Sequence, residues 1–167
     1  GRFNPVTGDN WNRNYVDLSG LPVEETNFDI PNFADEMIQK DIPIEQIKTF
    51  YKGFIKKGYD FYWENFLKRK GPSDNKFLNI TLQKLASEAD IVLDLHTGPV
   101  ATRYIYSADH QKQNVSFFNF PFVLHIPPVF AGAMDEAAFI NWFRLFEAFK
   151  EKGREIPIEF NSFTVEL

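Results

Sequence analysis

The eight residues Ile91-Val92-Leu93-Asp94-Leu95-His96-Thr97-Gly98 constrain this chain more than any other stretch. The apolar, β-prone run predicts a strand buried on both faces that finishes in an Asp, a His and a glycine turn. Side chains alternate along a strand, so Asp94 and His96 are expected on the same face. In open α/β sheets, chemistry collects at the carboxyl ends of strands. A carboxylate beside an imidazole at that address suits a metal ligand with its orienting partner, or part of a proton relay. A capped strand end carrying a solvated histidine is the simpler alternative.

The flanking sequence puts this strand into an α/β chain. Residues 1–34 look irregular, and a short helix is expected around 34–40. Pro43 then opens a strong helix, with Glu45 at its positive end. Its spaced Ile, Tyr, Phe and Trp residues run from Ile44 to about Arg69, where Gly71-Pro72 stops it. Asn79 is expected to cap a second helix, with Leu82, Leu85, Ala86 and Ala89 facing inward. Strands follow at 101–107 and 122–126. A helix beginning near Asp135 and Glu136 carries an aromatic stripe of Phe139, Trp142, Phe143, Phe146 and Phe149, and a last strand spans 158–167. Helices alternating with strands predict an α/β fold with a mixed, mainly parallel sheet.

Composition narrows the partners. The 167 residues carry a formal charge of −5, which argues against nucleic acid or an anionic membrane surface. No run approaches the ~18 apolar residues of a membrane span. A small cationic pocket for an anionic substrate remains compatible with this balance. Cysteine is absent, which removes thiolate nucleophiles and Cys-ligated zinc and is compatible with a cytoplasmic setting. The chain opens at Gly1-Arg2-Phe3 without a Met and stops at Phe163-Thr164-Val165-Glu166-Leu167, inside a predicted strand. The expectation is a single, incomplete catalytic domain over 1–167. Oligomeric state is not legible.

Three widely spaced pieces now stand out: Gly8-Asp9-Asn10-Trp11-Asn12-Arg13-Asn14-Tyr15, Asp94-Leu95-His96-Thr97-Gly98-Pro99, and Thr164-Val165-Glu166-Leu167. With Ala131-Gly132-Ala133-Met134-Asp135-Glu136-Ala137 between the last two, their order resembles the zinc carboxypeptidase superfamily, in its succinylglutamate desuccinylase/aspartoacylase deacylase branch. The resemblance implies a zinc carboxypeptidase-like fold and a zinc-dependent hydrolase of an amide bond. That enzyme would deacylate an N-acyl amino acid or act as a carboxypeptidase on a small anionic substrate. It further implies that His96 is a zinc ligand and Glu166 the general base and acid. Asn12 and Arg13 would grip a substrate carboxylate, and Arg2 would polarise the scissile carbonyl or stabilise its oxyanion. These roles make chemical sense. Catalytic zinc keeps three protein ligands and an open position for water, a carboxylate can relay that water's proton, and arginine's planar fork matches a carboxylate.

The sequence departs from the family at one point. The branch takes its first two zinc ligands from a His-x-x-Glu motif upstream of the Asn-Arg segment, and no such motif exists here. The other histidines, His110 and His125, lie downstream and read as solvated and as a core or rim residue. Two expectations stay open: the missing ligands belong to polypeptide beyond this chain, or the protein is a metal-free carboxylate-binding relative without catalytic activity.

Overall fold

The computed structural model describes residues 3–97 and 102–167. After a short helix α1 (Val23–Thr26), the first long element is α2 (Ile30–Gln39). Asp29 caps it by accepting from the Asn32 N–H at 3.0 Å. Its buried residues Ile30, Phe33, Ala34 and Met37 follow helical spacing. Helix α3 (Ile44–Tyr62) starts after Pro43 and buries Ile47, Tyr51, Ile55, Gly58 and Tyr59. Gly58 sits in mid-helix because a Cβ there would lie 3.0 Å from Phe28 and 3.1 Å from Leu18. The helix continues as a π turn (Trp63–Leu67) and a 3₁₀ turn (Lys68–Lys70), and ends on Gly71 at φ +65°.

Helix α4 (Asp74–Glu88) leads into β1 (Ile91–His96); β2 (Tyr104–Ala108), β3 (Phe122–Ile126), α5 (Met134–Glu151) and β4 (Asn161–Glu166) follow. The sheet order is β1-β4-β2-β3. Strand β4 pairs parallel with β1 and antiparallel with β2, while β2 and β3 are parallel. The fold class is therefore α/β with a mixed sheet flanked by helices, as the alternation of elements predicts.

The main core lies among α2, α3, α5 and the start of β4. Trp142 stacks on Phe160 with centroids 5.5 Å apart and meets Tyr51 edge-on at 4.9 Å. The Tyr51 hydroxyl donates to the Asn141 carbonyl at 2.7 Å, which satisfies the one polar atom buried with that ring. Each such large side chain, removed from water, contributes roughly 1.5–3 kcal/mol. Of the expected aromatic stripe, Phe139, Trp142 and Phe149 are buried, while Phe143 and Phe146 are half-buried.

Three expectations are corrected here. Strand β1 is not buried on both faces: it lies at the sheet edge, and Ile91, Leu93 and Leu95 are 58%, 45% and 63% exposed. Only its Val92-Asp94-His96 face turns toward the partly buried side. Asn79 does not cap a helix; Ser73 does, accepting from the Lys76 N–H at 3.3 Å. Leu85 points outward, 64% exposed; the buried face of α4 is Asn75, Asn79, Ile80, Gln83, Ala86 and Ser87, so Ala86 faces inward as expected and much of that face is polar.

Candidate active site

Register aligns the chemistry-bearing residues in rows across the sheet. His96 lies opposite Glu166, Glu166 opposite Tyr104, and Tyr104 opposite Phe122. One step back along the strands, Asp94, Thr164, Tyr106 and Leu124 form a second row on the same face. Asp94 and His96 do share a face, as alternation requires. The two tyrosines, whose face the sequence leaves open, share it too.

Asn12 reaches this row from 84 residues upstream of His96. Its Oδ1 accepts from the Met134 N–H at 3.3 Å, so its amide nitrogen faces the strand. That nitrogen donates to Asp94 Oδ2 at 3.0 Å and contacts His96 Nε2 at 2.8 Å. Nε2 is then an acceptor, and the ring proton sits on Nδ1, directed at Glu166 Oε1 3.2 Å away. Asp94 Oδ2 is also 3.1 Å from Nε2, a second acceptor should the proton move to that nitrogen. The three strand side chains are only partly screened from solvent: 29% exposed for His96, 18% for Asp94 and 17% for Glu166.

The loop carrying Asn12 and Arg13 is held by the polar inner face of α4, where Asn75, Asn79 and Gln83 recur every four residues. Asn79 Nδ2 donates to the Arg13 carbonyl at 2.7 Å, and Gln83 Nε2 donates to the Val16 carbonyl at 2.7 Å. Gln83 Oε1 in turn accepts from the Val16 N–H at 3.0 Å. The loop thus gains an amide ladder in place of a strand partner, which satisfies buried backbone groups that would otherwise cost about 1–3 kcal/mol each. Gln83→Leu is accordingly expected to destabilise the protein by about 3 kcal/mol, read by denaturant unfolding. An unchanged midpoint would mean that the ladder does not hold the loop. The repeat of amides at helical spacing was the available signal for this face, and it is easily read as a solvated stripe.

Arg13 is exposed, and one of its guanidinium nitrogens donates to the Asn12 carbonyl at 2.6 Å. Asp17, four residues on, is paired with Arg144 at 2.6 Å. Among the described residues no carboxylate pairs with Arg13. Gly132, at φ +100°, lets the loop before α5 pass close to Arg13 and Asn14. Arg2 lies outside the described residues.

Two titratable groups are buried away from the row. Asp135 stands in the first turn of α5, as expected, and is 3% exposed beneath Thr164. Burial, and after it the charges of Glu136 and Asp94, push its pKa up to about 6 against hydrogen bonds from Thr164 and the Glu136 backbone. His110, expected to be solvated, packs against Phe139 and Phe143, and both ring nitrogens are buried without a hydrogen-bond partner among the described residues. Burial pushes its pKa down to about 4. His125 is exposed on the edge strand β3.

These shifts have opposite consequences for stability. The contribution of protonated Asp135 is complete below its unfolded value of 3.8 and is lost as pH rises through about 6. The contribution of neutral His110 is complete above 6.5 and is lost as pH falls through about 4. Asp135→Asn should therefore stabilise the protein at pH 7.5, by at most about 3 kcal/mol, and have little effect near pH 4. Thermal unfolding at the two pH values checks this; an equal effect at both would refute the buried-acid assignment.

Whether these residues could hold zinc turns on donor count. Among the described residues, no three His, Asp or Glu side chains are grouped so as to hold a metal ion. His96 fits as one donor with its orienting partners, but the described residues do not make a three-ligand site on their own.

The mixed sheet and its flanking helices share the zinc carboxypeptidase-like deacylase fold of solved structures that match this chain. A crystal structure from Shewanella amazonensis SB2B, provisionally assigned to the succinylglutamate desuccinylase/aspartoacylase family, matches with a TM-score of 0.85 and 35% identity. The match covers 100% of this chain and 42% of that one. A structure from Shewanella frigidimarina NCIMB 400, provisionally assigned to the same activities, matches with a TM-score of 0.85 and 36% identity, over 100% of this chain and 41% of its own. No protein-family model and no curated protein matches. Along its whole length the chain is a structural relative of succinylglutamate desuccinylase/aspartoacylase family proteins, as its motif order implies, and it spans about two fifths of their length. Among the described residues no helix is long and apolar enough to cross a membrane.

Proposed function

We propose that this chain forms part of a zinc-dependent amide hydrolase that deacylates an N-acyl amino acid or removes a carboxyl-terminal residue. The observation that carries the reading is the convergence of Asn12, Asp94, His96 and Glu166 in one hydrogen-bonded group, from positions far apart in the chain. The kinship with provisionally assigned deacylases supports the same reaction class.

In this reading His96 is one zinc ligand, and the remaining donors come from polypeptide outside these residues. When bound, the metal supplies Lewis acidity and a water whose pKa is lowered to about 7. The chain's own residues prepare for it. For Nδ1 to offer its lone pair, the ring proton would move to Nε2, facing Asp94 Oδ2 at 3.1 Å, and the Asn12 amide nitrogen, a donor 2.8 Å from Nε2, would give up that contact and keep its bond to Asp94. Glu166, on the Nδ1 side of the ring, takes a proton from the attacking water and returns it to the leaving amine. Arg13 grips the substrate carboxylate with its planar fork. Asn12, whose amide donates to Asp94 and accepts from the Met134 N–H, positions Asp94 beside the imidazole as well as flanking the carboxylate grip of Arg13. Arg2 is the second cationic group, facing the scissile carbonyl or its oxyanion.

A metal-free carboxylate-binding module is the second reading. That reading needs only the guanidinium of Arg13, which no carboxylate among the described residues pairs with. In either reading the partner is a small anionic molecule.

Arg13 provides the test of the carboxylate grip. A charge-assisted hydrogen bond contributes about 1.5–3 kcal/mol, so Arg13→Ala is expected to raise KM for an N-acyl amino acid about 10- to 100-fold with a smaller change in kcat. If KM is unchanged while kcat falls, the arginine acts on the reacting centre and the carboxylate lies elsewhere.

A further inference from the structure

The same sheet face continues beyond Glu166 as a strip that the proposed mechanism does not use. Tyr104 and Tyr106 stand next to Glu166 and Thr164 on β2, and their rings meet edge-on at 5.4 Å. On β3, Phe122 and Leu124 extend both rows and are 56% and 43% exposed. Exposed apolar side chains that run unbroken from a candidate catalytic carboxylate form a surface suited to a ligand.

Charge decides which ligand. On this face the four strands carry Val92, Asp94 and His96, then Ser162, Thr164 and Glu166, then Tyr104, Tyr106 and Ala108, then Phe122, Leu124 and Ile126. None is a lysine or arginine, and the two ionisable acids are Asp94 and Glu166. Beyond Glu166 the strip of Tyr104, Tyr106, Phe122 and Leu124 carries no charged side chain, so an anionic acyl group lying on it would leave water without a counter-ion on that strip, whatever cations stand at the His96 end. An uncharged apolar group would cover Phe122 and Leu124 at no electrostatic cost.

Direction decides which part of the substrate. Asn12 and Arg13 approach from the β1 and α5 side, where Asn12 contacts His96, Asp94 and the Met134 N–H. The strip lies on the opposite side of Glu166, one and two strands further on, at about 4.8 Å per strand. A substrate held by its carboxylate at Arg13, with its amide bond at His96 and Glu166, sends its acyl group along this strip. Roughly 10 Å of surface is available, the reach of a benzoyl group or a six-carbon chain.

We propose that Tyr104, Tyr106, Phe122 and Leu124 form an acyl-binding subsite for uncharged aromatic or medium-chain aliphatic acyl groups, so that the substrate carries its negative charge at one end only. This rests on the amide-hydrolase reading above and narrows its substrate class.

The experiment uses the full-length, zinc-loaded protein and four probes: the N-acetyl, N-succinyl, N-hexanoyl and N-benzoyl derivatives of one amino acid. Binding is measured by calorimetry, and hydrolysis is followed in parallel. The benzoyl and hexanoyl probes are expected to bind at least about tenfold more tightly than the succinyl probe. Tyr104→Ala should cut the benzoyl-to-acetyl affinity ratio about tenfold, and Tyr104→Phe should restore most of it. Phe122→Ala, at an exposed position, gives the same reading if the tyrosine variant does not fold. Tighter binding of the succinyl probe, or an unchanged ratio in the variants, overturns the subsite. Acyl preference without hydrolysis of any probe overturns the hydrolase reading alone. Hydrolysis without acyl preference overturns the subsite alone, and no binding of any probe overturns both.

Discussion

Glu166→Gln is expected to lower kcat by about 10²- to 10⁴-fold while zinc stays bound. Gln preserves the shape of the side chain and its place beside His96, whose Nδ1 lies 3.2 Å from Glu166 Oε1. It cannot hold a proton at neutral pH, so only the relay between water and leaving group is removed. The substitution is thus cleaner than Glu166→Ala, which would leave His96 without its neighbour at the end of β1. Fold should be little affected, since Glu166 is the last residue of β4 and Gln fills the same volume. A loss confined to kcat, with unchanged zinc content and KM, is the signature of a general base. Turnover close to that of the parent enzyme would remove Glu166 from the mechanism.

His96→Ala is expected to abolish both zinc binding and hydrolysis. Losing even a group that only orients a ligand typically costs 10- to 100-fold in metal affinity, so losing the ligand itself should exceed about 100-fold. Asp94→Asn should reproduce the smaller effect, because it weakens the acceptor for Nε2–H without removing the imidazole. That ordering is informative. A metal-free module predicts no zinc in either variant or in the parent, and carboxylate binding that survives both changes.

Much of this site was legible in the sequence, because its signals are local. Alternation along 91–96 puts Asp94 and His96 on one face whatever the strand pairs with. The order of the Asn12-Arg13, Asp94-x-His96 and Glu166 pieces pointed to the fold that the sheet then adopts. What was hidden depends on pairing between distant segments. Nothing in Ile91–Leu95 distinguishes a central strand from an edge strand, since both are apolar; only the sheet order exposes Leu93 and Leu95. The amides of α4 look like a solvated stripe until the 10–16 loop is laid against them. His110 has polar neighbours in sequence and aromatic ones in space. The placement of Tyr104 and Tyr106 beside Glu166 required the antiparallel register between β2 and β4, which no periodicity encodes.

The most direct measurement is a zinc titration of the full-length protein, stripped of metal, with hydrolysis of an N-acyl amino acid followed at each addition. The account predicts an inactive metal-free protein whose activity rises in proportion to bound zinc and saturates near one zinc per chain. Full activity in the stripped protein, or a protein that binds N-acyl amino acids tightly yet takes up no zinc and hydrolyses none of them, would contradict it.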